Sequence, residues 1–118
     1  MEHNLKGTGL TLTDEIRSYI DKKLGGLDRL LKHEQSARAD VELEYLASED
    51  KTFRAELMLH DGMVLRAEAR GTTLHEAIDK ATQELYIELT KVKKKNMRVF
   101  RHSAARVKEY LRGWRDKI

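Results

Sequence analysis

The chain contains no cysteine and no proline among its 118 residues. Without cysteine it can hold neither a disulfide framework nor a thiolate metal site or nucleophile, which excludes the protein classes that depend on them. It has no apolar run near the ~20 residues that a membrane span needs, and no signal-peptide segment. We therefore expect one domain of ordinary length in the cytoplasm, with no metal and no cofactor.

The formal net charge of +3 conceals a sharp asymmetry along the chain. Residues 91–118 contain 11 basic and 2 acidic residues, a net charge of +9. Residues 1–90 contain 12 basic and 18 acidic residues, a net charge of −6. A basic segment after an acidic body indicates a polyanion-binding protein, and RNA, DNA and anionic membranes would all attract it. The alternative is a solvated tail that keeps the protein soluble.

The first part of the chain predicts a strand followed by a helix. Residues 4–8 are a short strand candidate that ends among glycines. Thr13 then suits a helix N-cap, with acidic residues behind it where the helix dipole favours them. Apolar residues recur on one helical face across the weak point Gly25-Gly26, so we expect one helix over residues 13–31. Its apolar face consists of Ile16, Ile20, Leu24, Leu27 and Leu31.

Three segments with strand-like alternation follow, at residues 37–46, 52–60 and 63–70. Alternation with period two places every second side chain on one face of a sheet, which indicates strands buried on one side only. The inward side chains would be Ala39, Val41, Leu43 and Tyr45, then Phe53, Ala55, Leu57 and Leu59, then Met63, Leu65, Ala67 and Ala69.

Asp61-Gly62, between the last two strands, is a strong hairpin signal. A two-residue loop would bring the arginines of the last strand to the core face, where unpaired charges are not tolerated. A three-residue loop, His60-Asp61-Gly62, keeps every inward pair apolar and places Gly62 where a type I turn with a bulge needs a left-handed residue. This loop pairs Leu59 with Met63 and Leu57 with Leu65.

The outer face of the same hairpin supports that register through charge. Glu56 falls opposite Arg66, and Arg54 falls opposite Glu68, as cross-strand ion pairs. We therefore expect these arginines to stabilise the sheet instead of binding a phosphate. The acids of residues 38–44 and the lack of exposed aromatic residues also argue against this face as an RNA platform.

A second helix begins at Thr73, which starts a capping box with Glu76. Without proline nothing stops this helix until after Lys95. Its buried face would consist of Ile78, Ala81, Leu85, Leu89 and Val92. A third, amphipathic helix would follow, with Phe100, Ala104, Val107, Leu111 and Trp114 on one face.

The order of elements is thus β-α-β-β-β-α, an α+β fold, followed by a C-terminal amphipathic helix. A right-handed crossover should make the first two strands parallel, while the others form an antiparallel meander. The expected architecture is a four-stranded mixed sheet with two helices on one face. We divide the chain into a domain at residues 1–97 and a basic extension at residues 98–118.

No group of residues in the sequence has the spacing of an active site or a metal site. His75-Glu76 begins like a zinc-protease motif, but the fourth residue after His75 is Asp79 and not histidine. The paired carboxylates Glu42 and Glu44 lie on a strand face that solvent covers. We therefore expect a binding protein and not an enzyme.

The end of the second helix carries a cluster of cations. The helix dipole accounts for only one or two of them. Four or more phosphate contacts from such a cluster would give strong, salt-sensitive RNA binding without reading the bases. Two lysines of the first helix could adjoin the same surface. The predicted RNA-binding residues are Lys22, Lys23, Lys91, Lys93, Lys94, Lys95 and Arg98.

Several short stretches within residues 4–95 are informative as a set, through their order and spacing. No single stretch identifies a family by itself. They are Leu5-Lys6-Gly7, Leu12-Thr13-Asp14-Glu15-Ile16-Arg17, Lys23-Leu24 with Leu27-Asp28, Asp61-Gly62, Glu76-Ala77-Ile78-Asp79-Lys80 and Leu89-Thr90-Lys91-Val92-Lys93. With the order of elements, they resemble the ribosome hibernation-promoting factor family, also called ribosome-associated inhibitors or sigma-54 modulation proteins.

The resemblance implies a stress-induced, non-enzymatic factor in the mRNA and tRNA channel of the small ribosomal subunit. There it would contact ribosomal RNA with basic residues of both helices and silence translation. Lys80, in one of the matching stretches, joins the expected RNA-binding residues. The extra C-terminal domain with which long members dimerise ribosomes is missing, so the resemblance implies a short-type role.

The chain departs from the family at positions that would face RNA. Where the family has a lysine and an Arg-Gln pair, this chain has Glu84 and Ile87-Glu88. Gly25-Gly26 replaces residues of which one is commonly lysine, and Thr72-Thr73-Leu74 replaces Asp-x-Tyr. The departures imply weaker or shifted RNA contacts, which the basic run after Lys91 could offset.

Two other functions stay open on the sequence. A protein-interaction regulator on the same fold, without ribosome binding, would dock on a partner through Phe100, Val107, Leu111 and Trp114. A general double-stranded RNA binder would need its cations at the start of the last core helix, and here that start is residues 72–79. The sequence decides neither the oligomeric state nor whether ribosome pairing is promoted or prevented.

Overall fold

The computed structural model describes the backbone of residues 1–50 and 52–102, and the side chains of these residues up to residue 92. Within them, the elements are β1 (Glu2–Thr8), α1 (Asp14–Gly25), β2 (Arg38–Leu46), β3 (Thr52–His60), β4 (Val64–Gly71) and α2 (Leu74–His102). This order confirms the predicted β-α-β-β-β-α arrangement.

The strands form one sheet in the order β1-β2-β3-β4. β1 and β2 are parallel, because the chain passes through α1 between them. β2, β3 and β4 are antiparallel neighbours, joined by short turns. The mixed four-stranded sheet is therefore as predicted, with β1 starting two residues earlier than expected.

An apolar core separates the sheet from the helices, which both lie on one of its faces. Each large side chain in it falls on the face that alternation or helical spacing predicted. Burial of a side chain of this size contributes roughly 1.5–3 kcal/mol, so the core drives the formation of all six elements. The largest fully buried side chains are Ile20, Leu43, Leu57, Leu59, Ile78 and Leu85.

Both helices begin at the threonines that the sequence indicated. The Thr13 hydroxyl accepts a hydrogen bond from the Ile16 N–H at 3.2 Å, and the Thr73 hydroxyl accepts one from the Glu76 N–H at 3.1 Å. The Glu76 carboxylate also accepts a hydrogen bond from the Thr72 hydroxyl at 3.0 Å. The two bonds to the threonine hydroxyls satisfy N–H groups that the first turn of a helix leaves without partners.

The first helix ends at Gly25, so the predicted single helix over residues 13–31 was wrong. The Gly26 N–H still donates to the Lys22 carbonyl at 3.3 Å, and a separate 3-10 turn follows at Asp28–Leu30. Two adjacent glycines weaken the helix here, and the tighter turn brings Leu27 into the core. The leucine spacing thus continues through backbone that is no longer α-helical.

The β3–β4 hairpin is offset by two residues from the predicted register. Leu57 lies opposite Ala67 and not opposite Leu65, whose partner is Leu59. An offset of two keeps the side chains within the two observed strands on their expected faces, since side chains alternate with period two. The alternation pattern therefore predicted the faces correctly and the pairing wrongly.

A buried carboxylate in the hairpin loop accounts for the offset. Asp61 accepts hydrogen bonds from the backbone N–H groups of Lys32 and His33 at 2.6 and 2.7 Å. These bonds hold Asp61 at the start of the loop Asp61-Gly62-Met63, so that Met63 is exposed and does not face the core as predicted. Gly62 has the expected left-handed backbone, with a φ of +74°.

The backbone of α2 runs without a break from Leu74 to His102. The predicted division between residues 97 and 98 falls within this helix and stays a prediction. The predicted C-terminal helix lies, from residue 103 onward, outside the described residues.

Candidate nucleic-acid interface

α1 and α2 meet along a seam of polar side chains on the helix side of the domain. Asp79 follows the buried Ile78 on α2, while Tyr19 and Lys23 lie one turn apart on α1. The Tyr19 hydroxyl donates a hydrogen bond to the Asp79 carboxylate, and the Lys23 Nζ lies 3.1 Å from it. The same ammonium lies 5.5 Å from the centre of the Tyr19 ring. The three side chains therefore fix the two helices against each other.

The contact among these side chains keeps Asp79 and Lys23 charged. Burial opposes the charge on Asp79, but the hydrogen bonds from Tyr19 and Lys23 outweigh it and hold the pKa of this carboxyl below its ordinary value. The bond to Asp79 also raises the pKa of the Lys23 ammonium. Lys23, predicted to bind RNA, is thus a cation held at a fixed position with N–H donors to spare.

The other described lysines of the prediction also lie on the helix side, and two of them have acidic partners. Lys80 pairs with Glu76 at 2.8 Å, and Lys91 pairs with Glu88 at 3.5 Å. Lys22 is exposed in the last turn of α1, and within the described side chains it makes no ion pair. Exposed pairs of this kind are worth at most about 1 kcal/mol, so a phosphate can replace the carboxylate.

The rest of the predicted RNA-binding residues lie on the described backbone of α2, towards its C-terminal end. They are Lys93, Lys94, Lys95 and Arg98. Phe100, predicted to bind a protein partner, also lies on this backbone, and its companions Val107, Leu111 and Trp114 lie outside the described residues. The side-chain roles of all eight residues stay predictions.

A groove of about 360 Å³ opens beside the seam, between α2 and the C-terminal end of α1. Tyr86, on its α2 side, is 40% exposed, which is high for an aromatic residue on an otherwise well-packed helix. Sequence reasoning missed this groove because no motif marks it. The available signal was the position of Tyr86, one residue beyond the core residue Leu85, which puts it at the edge of the buried helix face. The groove is lined by Lys23, Leu27, Asp79, Thr82, Gln83 and Tyr86 among others.

The opposite face of the sheet is uncovered, and its cations are held by acids. The Arg54 side chain is only 13% exposed and lies within ion-pair distance of four carboxylates. Burial opposes the guanidinium charge, but the bonds to Glu56 and Glu44 outweigh it and raise the pKa of Arg54. The four partners are Glu42 at 3.0 Å, Glu44 at 2.9 Å, Glu56 at 2.8 Å and Glu68 at 3.9 Å.

Arg66 extends the same network at the edge of the sheet. It lies 3.1 Å from Glu56 and 3.0 Å from Glu68, and the bond from Arg66 is the main reason why the pKa of Glu56 is lowered. The predicted pairing of both arginines with acids is confirmed, but Glu68 stands directly opposite Glu56, so the Arg66–Glu56 contact is diagonal. This face therefore offers little unbalanced positive charge to a polyanion.

Within the described part of the chain, no group of three or more histidine or acidic side chains is placed to hold a metal ion. Of the described helices, none is both long and apolar enough to cross a membrane.

The family model described as sigma 54 modulation protein / S30EA ribosomal protein matches residues 3–97. The chain belongs to this family. The match includes α1, nearly the whole sheet and α2 as far as residue 97, and it confirms the resemblance drawn from the short stretches of sequence.

Curated members of the family include three bacterial proteins named ribosome hibernation promotion factor. The Bacillus subtilis protein is 27% identical over 105 residues, which are 89% of this chain and 55% of the relative. The Deinococcus radiodurans protein is 30% identical over 81% of this chain and 51% of its own length. The Staphylococcus aureus protein is 32% identical over 75% and 46%. The chain spans about half the length of these relatives.

Two solved structures have the same fold. The N-terminal domain of Protein Y from Thermus thermophilus superposes with a TM-score of 0.69 and is 31% identical, covering 78% of this chain and 99% of that domain. A ribosomal subunit interface protein from Coxiella burnetii gives a TM-score of 0.67 at 17% identity, covering 80% and 99%, and this likeness concerns the fold alone.

Proposed function

We propose that this family member binds the RNA of the small ribosomal subunit in the mRNA and tRNA channel and inactivates the ribosome. The names of its bacterial relatives support a ribosomal partner. These relatives are about twice as long as this chain. That the chain shares their activity is part of the proposal. The protein would act in the cytoplasm, by binding and not by catalysis.

The proposal rests on the location of the positive charge that nearby acids do not balance. The sheet face encloses its central arginine in carboxylates. The excess begins at Lys91 on α2, and residues 91–118 carry a net charge of +9. Lys22, which makes no ion pair within the described side chains, lies on the same helix side of the domain. Each phosphate that such cations neutralise releases counterions, which gives tight binding that weakens as salt rises.

Co-sedimentation with purified ribosomal subunits tests this function. We expect the protein to pellet with the small subunit and not with the large one, and to be released as the salt concentration increases. Messenger RNA and tRNA bound beforehand should compete with it, and the protein should lower translation in a purified system. Binding that ignores a filled channel would contradict the proposed position.

The protein-interaction regulator is the second candidate, because the middle of α2 favours it. Glu84 and Ile87 are exposed where an RNA surface would carry cations, and Glu88 neutralises Lys91. This candidate uses Phe100, Val107, Leu111 and Trp114 as its partner surface. It replaces the ribosomal function if the protein binds neither subunit at any salt concentration.

A further inference from the structure

The groove between α1 and α2 brings three kinds of chemistry together. Tyr86 presents a partly exposed aromatic ring. Gln83 beside it is exposed and carries an amide that can both donate and accept hydrogen bonds. Lys23 supplies a cation on the opposite wall, held in place by Asp79 at 3.1 Å. Gly26, at the C-terminal end of α1, also lines the groove. Because it has no side chain, the groove is open on that side.

We propose that this groove takes one unpaired RNA base, which stacks on the Tyr86 ring while Lys23 contacts the adjoining phosphate. The inference rests on the proposed function, and it adds a site that recognises an unstacked nucleotide to a surface that otherwise contacts the backbone. Proteins that recognise single-stranded RNA place bases on aromatic rings and bond their edges with side-chain amides. Gln83 stands where it could bond such an edge.

A nucleotide suits the groove better than an apolar peptide does. Among the described residues, four large hydrophobic side chains are exposed, and Tyr86 alone of these lines the groove. A docking helix needs a longer apolar strip than one ring provides. An apolar side chain in the groove would also remove water from Lys23 and Asp79 without offering them hydrogen bonds. This loss of hydration costs free energy. A nucleotide brings a flat base and a negative phosphate together.

Asp79 has a positioning role in this arrangement. Its carboxylate accepts from both the Tyr19 hydroxyl and the Lys23 ammonium, so the ammonium is held at the rim of the groove before any ligand arrives. Lysine has three N–H donors, and the bond to Asp79 leaves others for a phosphate. A fixed cation loses less conformational entropy on binding than a free lysine side chain does.

Four variants separate stacking from simple apolar contact: Tyr86→Ala, Tyr86→Leu, Tyr86→Phe and, as a control, Met63→Ala. Leucine keeps apolar volume without an aromatic face, and phenylalanine keeps the face without the hydroxyl. Met63 is 47% exposed in the β3–β4 loop, so its truncation removes apolar surface away from the groove. Each variant is titrated with purified small subunits and with an unstructured oligoribonucleotide, over a salt series, after its thermal unfolding has been compared with that of the parent.

We expect Tyr86→Ala and Tyr86→Leu to weaken binding about tenfold to a hundredfold, the usual worth of one stacked base. Tyr86→Phe and Met63→Ala should bind within about twofold of the parent. The salt dependence should keep its slope in all four variants, because no charge is removed. An oligoribonucleotide carrying 4-thiouridine should crosslink to the peptide that contains Tyr86, and duplex formation should abolish the crosslink.

Two results overturn the inference. Tyr86→Leu binding as well as the parent would show that the groove makes only apolar contact, and Tyr86→Phe losing as much as Tyr86→Ala would show that the hydroxyl and not the ring is needed. If the parent binds small subunits and all Tyr86 variants do too, the groove fails while the proposed function stands. If the parent binds the oligoribonucleotide through Tyr86 but no subunit, the groove stands and the ribosomal function fails.

Discussion

The two faces of this domain use their cations differently. On the sheet face, Arg54 is nearly enclosed by carboxylates, and Arg66 shares two of them. On the helix side the ion pairs are more exposed, and the cationic run that starts at Lys91 exceeds the acids available to it. We expect the balance of charge around each cation, more than the number of cations, to decide which face attracts a polyanion.

The largest expected effect comes from removing the cationic run. Replacing Lys91, Lys93, Lys94 and Lys95 with glutamine should weaken binding to the small subunit by several orders of magnitude at moderate salt. It should also flatten the dependence of log affinity on log salt by about one unit per lost phosphate contact. Unfolding should be nearly unchanged, because exposed charges contribute little to stability.

The double variant Arg54→Gln, Arg66→Gln is the matched control for this experiment, measured by sedimentation over the same salt series. It removes cations from the sheet face and should leave subunit binding unchanged. If the arginine variant loses binding and the lysine variant keeps it, the RNA surface is the sheet, and the contrast between the faces is reversed.

Within the sheet face, the two arginines should differ. Arg54→Gln leaves several partly buried carboxylates without their shared partner and should lower the free energy of unfolding by about 1–3 kcal/mol. Arg66 is 56% exposed, so Arg66→Gln should cost only a few tenths of a kcal/mol. Urea denaturation of both variants measures the difference, and equal losses would show that the network around Arg54 is not cooperative.

Acid should weaken the α1–α2 seam through Asp79. Its pKa in the folded protein lies below the ordinary value of 3.8, so the contact stabilises the fold above that pH and is lost as pH falls through the folded pKa. Thermal unfolding between pH 6 and pH 3 should therefore show a smaller acid-dependent loss in Asp79→Asn than in the parent. Identical pH profiles would mean that the ionisation of Asp79 contributes nothing to stability.

A further small effect is expected on the helix side when a cation is added at the end of α1. Gly25 is the last residue of α1, and a Cβ added there would meet nothing within 4 Å. Gly25→Ala should raise the free energy of unfolding by about 0.4–1 kcal/mol. Gly25→Lys should do the same and also steepen the salt dependence of subunit binding by about one unit. Equal slopes for the two variants would place this position outside the RNA surface.

The register of the β3–β4 hairpin shows where sequence patterns stop being informative. Alternation identified which side chains of both strands face the core, because period two is a property of each strand alone. It could not separate registers that differ by two residues, since both keep apolar pairs inside. The deciding contact is the buried Asp61 carboxylate on the backbone of Lys32 and His33, far away in the sequence.

The candidate site also combines features that the sequence determined with features that only the tertiary structure decided. The chain sequence determined the charge asymmetry, the helix N-caps, the core faces and the family, because each depends on local spacing or on residue identity. Only the tertiary structure decided that Lys23 is held by Asp79 and Tyr19, that Arg54 is enclosed by acids from three strands, and that Tyr86 borders a groove. The physical reason is that these contacts join side chains from different elements, whose distances are set by how the helices pack on the sheet.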